Sequence, residues 1–222
     1  MVKQSSPTQK MLFWWGIILI IWSAYRFKFG TDLGIYFDEF VAKPLVFILP
    51  VIIYIRKVEK QSLTAGLALK SKELGQDIFL GLCTAAALLF VLYLNVPLKI
   101  LATNFSKITT TQNIVLVILT AFATSISEEL LSRGFVLKRL FAESQNIITS
   151  SFFASILFFF LRVPILFSNG KIMGTTLLAM MMMEILFSFA VSIVFLKRKS
   201  VVLPVLIHAF YILALYLYLG FS

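Results

Sequence analysis

The sequence predicts an all-α protein: a polytopic transmembrane helix bundle of about seven spans, within a range of six to eight. Three observations predict it. Hydrophobic residues make up 60% of the 222 residues and charged residues only 14%, with a mean hydropathy of +0.96; a soluble domain is about 45–50% apolar and about 25% charged. The apolar residues gather in runs approaching the roughly 20 that a helix needs to cross a bilayer. None of the runs alternates with period 2, which argues against a transmembrane β-barrel. Helices remain, because backbone polar groups in lipid must be satisfied within the segment.

The runs, in order, are residues 11–25, 40–55, 78–98, 113–131, 147–167, 173–196 and 201–219. The first follows Lys3 and Lys10, as a signal peptide would, but no small-residue cleavage site follows it. It ends in Tyr25, Arg26 and Phe27 and reads as a retained span. The remaining runs are separated by polar stretches, among them 56–77 and 197–200. The expected organisation is a single membrane domain, with N-terminal spans over 1–112 and a core over 113–222.

Charge and composition exclude several classes. The net charge is +10, from 20 basic and 10 acidic residues. The basic residues are scattered between apolar runs, so nucleic acid is not the expected partner; the lipid bilayer is. With the N-terminus inside, 13 basic residues fall on the inner side. Seven fall on the outer side, Arg26 and Lys43 among them. That bias places the N-terminus in the cytoplasm, and the expected location is the plasma membrane of a prokaryote. The lone Cys83 gives no disulfide framework. The lone His208 excludes a two-histidine metal site, and no metal or cofactor is expected.

Glu128, Glu129, Arg133, Arg162 and Glu184 lie in or beside apolar runs. An unpaired charge at the bilayer centre costs about 2.5–3.5 kcal/mol on insertion scales, so such residues face the bundle interior and are functional candidates. The alternative is an ion pair that locks helices together. Glu129 and Arg133 stand at i, i+4 with the acid first, the favourable order for a pair. Glu128 is rotated about 100° away, without that partner, on a partly polar stripe with Thr120 and Thr124. It is the candidate general base. His208 lies inside the last run.

Depth arguments bring these residues together. A polar turn near 144–146 makes the fourth and fifth spans a hairpin, with Glu128 and Arg162 each 17 residues from position 145. Equal distances put them at similar depth, about 25 Å along each helix. Arg162 can therefore face Glu128. It can instead face Glu184, offset by about 6 Å across a second turn near Gly170 and Lys171.

Three stretches resemble the motifs of the CAAX protease and bacteriocin-processing (Abi) family of multi-pass intramembrane endopeptidases. Glu128-Glu129-x-x-x-Arg133 followed by Gly134-Phe135 matches the first motif. Phe158-x-x-x-Arg162 stands where the family has Phe-x-x-x-His, and His208-x-x-x-Ile212 where it has His-x-x-x-Asn. The resemblance covers roughly 113–219. It implies hydrolysis of a membrane-associated protein or peptide by a glutamate-activated water, with Glu128 as base and His208 as oxyanion donor. Glu129 and Arg133 complete the catalytic set it implies. Arg162, Glu184 and Tyr211 are further site candidates, the Tyr211 hydroxyl standing in for the missing amide. Arg162 and Ile212 depart from the pattern. They open a second reading, a catalytically inactive member that binds a membrane partner as a scaffold.

Other protease classes fit worse. No aspartate lies in any run, and no Gly-x-Ser-x-Gly is present.

Overall fold

The computed structural model describes residues 6–29, 32–111, 114–168 and 174–219 of the chain. Among them every regular element is helical. Helix α1 is Pro7–Phe29, α2 covers residues 35–59, α3 is Leu74–Asn95, α4 is Leu98–Thr111 and α5 is Ile114–Ser144. Then follow α6 (Ile147–Ser168), α7 (Gly174–Arg198) and α8 (Val202–Leu219). Six of these, α1, α3, α5, α6, α7 and α8, are long and apolar enough over the described residues to cross a membrane. The protein is a polytopic helix bundle.

Local chemistry sets the helix ends. Ser6 and Gln9 form a reciprocal capping box at α1: Gln9 N donates to Ser6 Oγ (3.2 Å) and Ser6 N to Gln9 Oε1 (3.0 Å). Pro7 fills the first helical position, where its missing N–H costs nothing. Between α5 and α6, Gln145 takes the left-handed conformation (φ 53°), and Asn146 Oδ1 accepts from Thr149 N (3.0 Å). The expected hairpin turn is therefore present. The turn expected near Gly170 and Lys171 lies outside the described residues, as do Asn113 and Met173.

Two helices depart from regular α geometry. In α2, wide π turns at Asp38–Ala42, Pro44–Ile48 and Tyr54–Glu59 alternate with α turns. Pro44 and Pro50 each remove a backbone donor and press their rings on the preceding turn, and a widened helix relieves both. In α5 the π stretch is Leu130–Leu137, and Leu131 through Leu137 are all buried. A Cβ on Gly134 would stand 3.0 Å from the Leu67 carbonyl, so glycine there admits the chain around Leu63–Gly66 against α5.

Two run boundaries differ from expectation. The third run breaks after Asn95, at Val96-Pro97, because proline cannot continue the ladder. The fourth does not stop at residue 131 but continues to Ser144, carrying Arg133 and Arg139 in its buried interior.

Packing brings α6 and α7 together along most of their length. Ser151 and Ser155 of α6 and Ser188 and Ser192 of α7 are fully buried at i, i+4 spacing, the small-residue pattern that lets membrane helices approach closely. Ser155 and Ser192 donate to the carbonyls four residues earlier. Trp22 of α1 donates its indole N–H to the Leu161 carbonyl of α6 (3.2 Å).

One end of the bundle is strongly basic. Arg139 of α5 pairs with Glu59 of α2 there (2.6 Å). Arg198 of α7 pairs with Glu73 and with Asp77 of α3, both at 2.8 Å. At the opposite end, Asn104 of α4 donates to the last carbonyls of α8. With 14 residues, about 21 Å long, α4 is too short to span.

Candidate functional site

Five helices deliver charged side chains to one buried cluster. Glu128, Glu129 and Arg133 come from α5, Arg162 from α6, Glu184 from α7 and His208 from α8. The fifth helix, α2, adds Lys43 and Glu39. The predicted convergence of Glu128, Arg133, Arg162 and His208 is therefore what the structure shows.

Glu129 is the centre of one half. Its Oε1 accepts from Arg133 Nη1 (2.9 Å), the expected i, i+4 pair, and from His208 Nδ1 (2.8 Å). Arg133 is completely buried and donates onward from Nη2 to the Ser188 carbonyl (3.0 Å) and hydroxyl (2.9 Å). Its guanidinium lies 4.8 Å from the Phe158 ring centre. A charge sunk so deeply persists because both terminal nitrogens meet acceptors, the Glu129 carboxylate among them, and an aromatic face covers it; only Nε is left without a partner.

Glu128 forms the other half. Its Oε1 accepts from Lys43 Nζ (2.7 Å), and its Oε2 lies 3.0 Å from Arg162 Nη2. Contrary to the expectation of an unpartnered carboxylate, Glu128 thus has a cation on each oxygen. Lys43 Nζ also meets Glu39 Oε2 at 2.7 Å, and the Thr124 hydroxyl lies 2.7 Å from that same oxygen. Thr124 of the polar stripe thus serves the Glu39 carboxylate, whereas Thr120 donates to the Leu116 carbonyl of its own helix (2.7 Å).

Arg162 touches three partners: Glu128, Glu184 (Nε to Oε2, 3.7 Å) and His208 (Nη2 to Nε2, 3.2 Å). Expectation set Glu184 against Glu128 for this arginine; it contacts both, and Glu128 more closely. Arginine can only donate, so His208 Nε2 is the acceptor and its proton sits on Nδ1, facing Glu129. In this arrangement His208 is a neutral ring with no free Nε2–H. That runs against its expected part as oxyanion donor. Phe158 and Phe187 frame the ring, with centroids 6.1 and 5.4 Å away.

Tyr211 stacks on Phe187 (4.3 Å, 19°), and among the described residues its hydroxyl makes no hydrogen bond to the cluster. Ile212 is buried. Neither supplies the missing amide donor in this arrangement.

Counting charges explains the arginine. Four carboxylates (Glu39, Glu128, Glu129, Glu184) meet three cations (Lys43, Arg133, Arg162). A neutral histidine at 162 would leave four against two in a low-dielectric interior, where unbalanced charge is most unfavourable.

Lys43 and Glu39 are the residues that sequence reasoning missed. From sequence Lys43 and Arg26 both read as outer charges; in the structure both are buried, Arg26 against Asp38 (2.6 Å) and Lys43 against Glu128. Neither is a loop residue, so neither bears on orientation. The available signal was the i, i+4 spacing of Glu39 and Lys43, the same acid-first order as Glu129 and Arg133.

No curated protein and no solved structure matches the chain significantly. The family model of type II CAAX prenyl endopeptidase Rce1-like matches residues 110–214, the stretch that holds all three motifs. Over residues 110–214 this integral, multi-pass membrane protein is similar to the Rce1-like CAAX prenyl endopeptidases.

Proposed function

We propose that the chain uses its Rce1-like domain to bind a membrane-associated protein or peptide, and that Arg162 keeps it from hydrolysing that partner by the glutamate-activated route. The observation that carries this reading is the Arg162 guanidinium, 3.0 Å from Glu128 Oε2 and 3.2 Å from His208 Nε2. It stands between the two groups that would have to handle a water and an oxyanion. A carboxylate neutralised on both oxygens is a weak proton acceptor, and arginine cannot accept a proton at all. The basic end of the bundle faces the cytoplasm in this reading, as the positive-inside rule directs.

A second reading, an active intramembrane endopeptidase, has its own support. Glu128, Glu129, Arg133 and His208 are all retained and converge, and Glu128 Oε2 and Glu129 Oε2 are buried without a hydrogen-bond donor. One experiment separates the two. Purified native protein, Glu128→Gln, Arg162→His and Arg162→His/Glu128→Gln are reconstituted with membrane-anchored peptides, and crosslinking and product formation are both measured. The binding reading expects crosslinks without products from the native chain, products from Arg162→His, and none from the double variant. Products from the native chain that Glu128→Gln abolishes would overturn it in favour of hydrolysis.

A further inference from the structure

At the basic end lies a cavity of about 570 Å³, away from the charge cluster. The ends of α5 and α7 form two walls, and the chain between α2 and α3 forms the third. Three lysines surround it, Lys70, Lys138 and Lys199, while Phe141, Phe195 and Leu196 give it an apolar wall. Such a volume is in the range of small-molecule and lipid headgroup sites.

The lysines have no carboxylate partners among the described residues. The acids of this end are engaged elsewhere: Glu59 with Arg139, Glu73 and Asp77 with Arg198, and Glu143 with the Thr8 backbone N–H. Lys138 donates one proton to the Ala65 carbonyl, which fastens the third wall, and keeps two for another acceptor. Val201 N donates to the Ala68 carbonyl (3.1 Å) and ties the same wall to the start of α8. The cavity is thus held open by backbone contacts rather than closed by ion pairs. It sits where membrane-crossing helices end, at the level of lipid headgroups. Arg56, Lys57, Lys60, Lys72 and Lys197 add to the positive field around it.

We propose that this cavity binds the headgroup of an anionic phospholipid, its phosphate among Lys70, Lys138 and Lys199 and its glycerol and upper acyl chain against Phe141, Phe195 and Leu196. A free phosphate shares the charge but has no use for the apolar wall. Native mass spectrometry of the full-length protein, in detergent supplemented with phosphatidylglycerol, phosphatidylcholine or inorganic phosphate, tests the assignment. Phosphatidylglycerol is expected to be retained over phosphatidylcholine. Lys70→Gln/Lys199→Gln is expected to weaken that preference about 30-fold, from two lost lysine contacts. Each single variant, at an unpaired side chain, loses about fivefold. Lys99→Gln, in α4 at the opposite end of the bundle, serves as control and leaves retention unchanged. Equal retention of the two lipids, or a preference that survives the double variant, would overturn the proposal. Inorganic phosphate that displaces the lipid would assign the cavity to a free anion and overturn it as well.

Discussion

Glu128 and Glu129 are neighbours in sequence and equally buried, yet they belong to different chemistries. Glu129 is served by residues of the matched domain alone: Arg133 on its own helix and His208 from α8. Glu128 is served by Lys43, from the helix preceding that domain, and by Arg162, the residue that departs from the family pattern. The comparison teaches where this chain departs from the motif pattern. Its Glu129 side is built from residues that match the motifs, Arg133 and His208. Its Glu128 side is a bridge between α2, α5, α6 and α7, with cations alternating among carboxylates.

Unequal consequences of substitution follow from that asymmetry. Glu129→Ala strips Arg133 and His208 of their shared acceptor and leaves a fully buried guanidinium without a counter-charge. A loss of about 3–5 kcal/mol is expected, visible as collapse of the thermal transition in detergent. Lys43→Met removes the cation between Glu39 and Glu128, but Glu128 keeps Arg162 and Glu39 is partly exposed. About 2–3 kcal/mol is expected. A double cycle with Glu128→Gln should return a coupling of about 1–2 kcal/mol between positions 43 and 128, and additivity would refute the bridge. Gly134→Ala perturbs the segment carrying Arg133 without touching a charge. Its methyl meets the Leu67 carbonyl, and about 1–2 kcal/mol of destabilisation is expected in the same melt.

Glu128→Gln is the mildest, at about 1 kcal/mol, because Lys43 retains Glu39 and Arg162 retains Glu184. If it melts with Glu129→Ala, the two halves are one unit and the contrast between them is wrong.

Much of this arrangement could be read from residues alone. The Glu129–Arg133 pair followed from spacing on one helix. The approach of Arg162 to Glu128 followed from equal distances to a turn whose residues, Ser144 to Asn146, announce themselves. What escaped was long-range or non-ideal. Lys43 joins Glu128 across 85 positions, and a net count of loop charges could not tell it from a surface lysine. The π stretches of α2 and α5 escaped because helical pattern arguments assume 3.6 residues per turn. The acceptor role of His208 escaped because it depends on what stands at 162, a third helix away.

The hydrogen bond from Trp22 to the Leu161 carbonyl gives the molecule an optical gauge. Trp22 is fully buried, stacked on Tyr25 (5.5 Å) and edge-on to Phe47 (5.0 Å), and its acceptor is the residue immediately before Arg162. Only Trp14 and Trp15 share the tryptophan emission. With those two replaced by phenylalanine, a single indole would report on the turn of α6 that carries the arginine. Occupation of the cluster by a partner that draws α6 away from α1 would lengthen that bond and change the indole emission in real time, with no label attached.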